Sequence, residues 1–137
     1  MIGGKANVLY EKSYAFAVRV VKAYQFLSTE KREYVLSKQL LRCGTSVGAN
    51  VTEANGAISD ADFSAKMSIA YKECLETKYW LQLLHDTDFI TSKMFNSMFI
   101  DADELGKMLF TTLRSTRQFR NSINHSDKPN DLLNDKC

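Results

Sequence analysis

From Phe63 to Leu84 the residues Phe63, Met67, Ala70, Cys74, Thr77, Leu81 and Leu84 step alternately by four and three without a break. That spacing keeps one seam on one side of an α-helix and does not fit the two-residue period of a strand. Three further stripes share it. Leu9, Phe16, Val20, Ala23 and Leu27 form the first, and Leu36, Leu40, Cys43, Val47, Val51, Ala54 and Ile58 the second. Met98, Ala102, Leu105, Leu109, Thr112, Thr116, Phe119 and Ile123 form the last. Such seams pack against one another at the shallow crossing angle of bundles. The breaks between them are short, which makes successive helices antiparallel neighbours. The expectation is an all-α fold, an antiparallel up-down-up-down four-helix bundle.

The punctuation agrees. A sheet protein of 137 residues usually needs many Gly/Pro turns, whereas this chain has one proline, Pro129. A single bundle domain is expected over residues 1–125. The stretch "SDKPNDLLNDKC", residues 126–137, has no partner stripe and reads as a flexible C-terminal tail. Ser28 and Thr29 are expected to cap the second helix, and Ser59 with Asp62 to form a capping box for the third. Cys43 and Cys74 fall on apolar stripes, where a thiol acts as a small hydrophobe. Cys137 is expected to be a free thiol in the tail. An odd cysteine count argues against a disulfide framework, and no apolar run reaches membrane-spanning length. A soluble protein of the reducing cytoplasm, without membrane contact, is the expectation.

The stretch "RCGTSVGANVTEANGA", Arg42 to Ala57, superficially resembles a phosphate loop. A Walker-type loop needs Gly-Lys-Ser/Thr, and no lysine follows Gly44 or Gly48. A dinucleotide fingerprint needs a preceding strand. The apolar stripe passes through both glycines in phase, so the segment reads as helix. Glycine inside a helix costs about 0.5–1 kcal/mol relative to alanine. Gly44 and Gly48 lie one turn apart and lower one helix surface. They permit close packing either within the bundle or between subunits. Beside them runs a polar row, Gln39, Ser46, Asn50 and Glu53, with Lys38 and Arg42 read on the opposite flank. The row fits either solvent exposure or a structural network with Lys72, Glu73 and Glu76 of the third helix. An oligomer contact is therefore expected on the second helix.

"YVLSKQLLRCGTSVGANVTEA", followed by "DFSAKMSIAYKECLETKYWLQLL", resembles the four-helix-bundle family encoded by intervening sequences within bacterial 23S rRNA genes. Gln39, Arg42, Ser46, Asn50 and Glu53 on one helix carry the resemblance. So do Phe63, Ala70, Glu73, Glu76 and Trp80 on the next, and "ELGKMLFTTLRSTR" is similar to the family's last helix. The likeness spans residues 8 to 120, with "GANVTEA" standing where many members have "PANIAEG". Related members include the accessory protein of diversity-generating retroelements, which assists a reverse transcriptase. The resemblance implies a barrel-like homopentamer and a nucleic-acid-binding role.

No chemistry-bearing constellation competes with that reading. Neither His85 nor His125 has an acid three residues before it, as di-iron bundles require. His85 is expected to meet the C-terminal carbonyls of the third helix. No Cys/His cluster has zinc spacing, and no serine lies in a nucleophile elbow. The expectation is a non-enzyme with no metal, cofactor or small-molecule substrate. Net charge is only +2, so any polyanion surface must be local. Arg114, Arg117 and Arg120 step by three, Lys107 lies upstream, and no acid occurs from Leu105 to His125. Arg19 and Lys22 add cations on the first helix. These six are the candidate RNA or DNA contacts, directed at phosphate. The same arginines also suit a helix C-terminus through the macrodipole. The alternative function is a protein–protein assembly or scaffolding module without nucleic acid.

Overall fold

The computed structural model describes residues 3–116, with side chains from Val8 onwards. Four helices follow one another: α1 (Gly3–Thr29), α2 (Leu36–Asn55), α3 (Asp60–Asp86) and α4 (Ser92–Arg114). Each packs on its neighbours in the chain, and α4 closes back on α1. The α1–α4 seam is the thinnest of the four and the α2–α3 seam the most extensive. Contacting pairs run in opposite order along each seam. Cys43 meets Thr77 while Glu53 meets Lys66, and Ser64 meets Thr116 while Lys78 meets Asp103.

The stripes form the core. Phe16, Val20, Leu27, Leu40, Val47, Val51, Met67, Leu81, Leu84, Leu105 and Leu109 are among its buried members. Burying each such side chain contributes about 1.5–3 kcal/mol relative to exposure. Two stripes run differently at their ends. Ile58 is 95% exposed, because α2 stops at Asn55 and Gly56 terminates it. On α4 it is Leu113 that is buried, while Thr112 is half-buried and bonds back to the Met108 carbonyl. Thr116 is buried and reaches Ser64 at 3.2 Å. Phe119, Ile123 and the expected tail lie outside the described residues.

The capping of α2 departs from expectation. Ser28 and Thr29 belong to the last turn of α1, where their hydroxyls bond back to the Tyr24 and Gln25 carbonyls. Glu33 caps α2 instead. Its carboxylate accepts the N–H groups of Val35, Leu36 and Ser37 at 3.0, 2.9 and 2.7 Å. Three of the orphan donors at the helix start are satisfied by one side chain. The connector that delivers it includes Arg32 at φ 52°. The α3 cap is as read: Ser59 Oγ accepts the Asp62 N–H at 3.0 Å. Asp62 reaches back to the Ile58 N–H rather than to that of Ser59.

Gly44 and Gly48 face α1 of the same chain. A Cβ on Gly44 would sit 2.7 Å from both Val20 methyls, and one on Gly48 would sit 3.4 Å from the Ser13 carbonyl oxygen. The glycines thus set the α1–α2 spacing, which offsets their intrinsic helix cost.

Candidate functional site

The polar row of α2 resolves into three parts. At one end Arg42 lies with Gln39, not on the opposite flank, and donates to it at 3.2 Å. From there Arg42 reaches across to Glu73 and Glu76 on α3, and Glu76 also accepts the Trp80 indole N–H at 2.9 Å. In the middle, the Asn50 amide donates to the Ser46 carbonyl and hydroxyl at 2.9 and 3.0 Å. At the far end Glu53 meets Lys66 at 3.5 Å. The row is therefore a set of ties, two of them joining α2 to α3. Lys72 stands exposed, while Glu73 and Glu76 carry the network. The Arg42 guanidinium is half in water, so its pairs hold geometry more than they add stability.

The structure separates the candidate cations. Arg19 on α1 bonds Asp101 and the Ser97 hydroxyl of α4. Lys107 meets Asp103 at 3.1 Å, one turn before it, and Asp103 also receives Lys78 of α3 at 2.8 Å. The Lys78 ammonium, then that of Lys107, holds the Asp103 carboxyl below its usual range. Arg114 is exposed at the end of α4, its guanidinium 5.9 Å from the Phe110 ring centre. Arg19 faces residue 101, so about 20 Å of helix lies between it and Arg114. Lys22 is exposed one turn further away along α1. Arg117 and Arg120 lie outside the described residues. The acids that engage Arg19 and Lys107 were visible in the sequence, but the partner of Arg19 is 82 positions away.

His85 does not meet the α3 carbonyls. Its ring bonds Asp86 and the Ser92 hydroxyl, both at 3.0 Å, and stacks on Phe95 at 4.8 Å. The imidazole ties the end of α3 to the start of α4 beside an open cleft of about 350 Å³. Cys43 and Cys74 are buried, and burial pushes each thiol up to about 11. Among the described residues no group of His, Cys, Asp and Glu has the geometry of a metal site. No described helix is long and apolar enough to cross a membrane.

A family model described as "23S rRNA-intervening sequence protein" matches residues 5–111. A search of curated proteins finds no match. Among solved structures, the chain is similar to a crystal structure at 1.70 Å from Bacteroides thetaiotaomicron VPI-5482, described as a protein of unknown function from the S23 ribosomal protein family. The two are 48% identical with a TM-score of 0.81, over 82% of this chain and 100% of that one.

Proposed function

The chain belongs to the 23S rRNA-intervening sequence protein family, and from that premise we propose a non-enzymatic, homo-oligomeric accessory protein that contacts RNA or DNA through phosphate. Five copies is the number that the resemblance implies, and the cytoplasm is the proposed compartment. The observation that carries the reading is the basic end of α4. Arg114 is exposed over an aromatic ring and meets no carboxylate among the described residues, and Arg117 and Arg120 follow in the sequence with no acid among them. Repetition around an oligomer axis multiplies such contacts, and phosphate affinity rises steeply with their number.

A second reading, assembly or scaffolding without nucleic acid, is favoured by the engagement of Arg19 by Asp101 and of Lys107 by Asp103. An electrophoretic shift of labelled RNA and DNA across a salt series separates the two. Binding that weakens steeply with salt supports the accessory role. No shift at low salt with an oligomer in light scattering supports the scaffold.

A further inference from the structure

The outer surface of the α3–α4 seam carries an open cleft of about 340 Å³. Tyr71 and Leu75 of α3 and Phe110 of α4 line it, the two rings tilted at 43° with their centres 5.8 Å apart. Leu75 and Phe110 are 46% and 39% exposed, so aromatic and apolar surface there is open to a ligand. Cations flank the rings. Lys78 and Lys107 line the cleft and share Asp103, at 2.8 and 3.1 Å. Each ammonium has three N–H donors, so both retain donors beyond that bond. Arg114, one turn past Phe110, holds its guanidinium over the Phe110 ring. Lys107 and Arg114 are two turns apart on α4, about 10 Å, with Phe110 between them.

Gly106 is buried and lines the same cleft. Glycine inside a helix is destabilising relative to alanine. At Gly44 the close approach of Val20 offsets that cost. No such contact holds Gly106: among the described residues a Cβ there would meet only the Cys74 sulfur, at an ordinary 3.7 Å. What its missing side chain does is leave room in the cleft.

We propose that this cleft takes an unpaired nucleobase of a single-stranded nucleic acid, with the flanking phosphates on Lys107 and Arg114. The proposal rests on the phosphate-contact reading above and names the form of nucleic acid that the surface favours. Every base has a π-face that stacks on an aromatic ring, and single-strand sites combine such rings with cations that follow the backbone. Phe110 and Tyr71 supply the rings here, among Lys78, Lys107 and Arg114. Bases within a duplex are already stacked on one another and offer mainly phosphate to an outer surface, so the rings add nothing for a duplex. Charge favours a strand over a protein segment of basic character. Three cations surround the apolar surface against one acid in its lining, Asp103.

The test is fluorescence anisotropy of a labelled oligothymidylate and of a labelled duplex of the same length, with far-UV circular dichroism as the control for folding. The parent should bind the single strand more tightly than the duplex. Phe110→Leu keeps an apolar side chain and loses the ring. It should weaken single-strand binding by about tenfold and leave duplex binding unchanged, whereas Phe110→Tyr should match the parent. Gly106→Ala should fold as the parent does and weaken the single strand alone. Thymidine monophosphate at the strand's nucleotide concentration should not displace it; displacement would assign the cleft to free nucleotides and overturn the strand as occupant. Equal affinity of the parent for both forms overturns the cleft and leaves the phosphate-contact reading standing. So does single-strand binding that survives both Phe110→Leu and Gly106→Ala, or a loss that the duplex shares. A parent that binds neither form overturns both.

Discussion

At the scale of single residues, the two glycines of α2 look alike in sequence and differ in space. Gly44→Ala puts a methyl 2.7 Å from both branches of Val20, a side chain stiff at χ1. The helices must separate, and the substitution should cost about 1–3 kcal/mol in urea unfolding. Gly48→Ala meets Ser13 at 3.4 Å, an ordinary contact, and removes a flexible residue from a helix interior. It should change stability by less than about 1 kcal/mol, with a gain as the expected sign. Glu33 makes a pH-dependent contribution. Burial raises its carboxyl, but the N–H groups of Leu36, Ser37 and Val35 outweigh that and leave it below the ordinary value. A lowered folded pKa stabilises above the unfolded value and loses that contribution as pH falls through the folded one. Glu33→Ala should cost about 1–2 kcal/mol at neutral pH, and less in acid, where the parent has lost the same cap. Urea midpoints of both proteins at pH 7 and pH 3 check this. The buried thiols give a chemical readout. At pH 8 about one thiol in a thousand is ionised when its pKa is near 11. Cys43 and Cys74 should escape maleimide in the native protein and react in denaturant, as peptide masses would report.

At the scale of helices, the sequence was legible where one stripe meets one core. Leu9, Phe16, Val20, Ala23 and Leu27 are all buried, and so are Leu40, Cys43, Val47, Val51 and Ala54. It was less legible at helix ends, where local hydrogen bonding decides. Nothing in the spacing distinguishes Ile58 from Ala54, yet the chain has left the helix by residue 56. Glu33 was missed because it lies before the helix, outside the usual Ser/Thr/Asp/Asn cap signature. The candidate site was partly legible. Glu73 and Glu76 were named as partners, but the flank of Arg42 depended on which seam its long side chain reaches. The α1–α4 seam tests which force holds the elements. Lys12–Glu104 and Arg19–Asp101 cross it with roughly half-exposed side chains, while Leu105 is buried behind them. A double-mutant cycle on Lys12 and Glu104 should give about 0.2–1 kcal/mol and shrink in salt. Leu105→Ala should cost about 2–5 kcal/mol and be insensitive to salt.

At the scale of the whole molecule, the question is which cations are available to a polyanion. The net charge of +2 hides an uneven distribution. Asp101 and Asp103 engage Arg19, Lys78 and Lys107, whereas Arg114 projects from the end of α4. If phosphate is bound, two kinds of substitution should act in opposite directions. Asp103→Asn releases two lysines and should tighten binding to every sequence, because phosphate contacts carry no base information. Replacing Arg114, Arg117 and Arg120 together by glutamine should weaken binding to all sequences alike. Removing one cation from a phosphate flattens the dependence of log affinity on log salt by about one, so the triple variant should lower that slope by up to about three per copy. Titrations of one labelled duplex and one labelled single strand at several salt concentrations read both effects. A triple variant with the parent's affinity and slope would assign the arginines to compensation of the α4 dipole. Tighter binding by Asp103→Asn in that same experiment would then move the phosphate surface to the α3–α4 seam, where Lys78 and Lys107 meet.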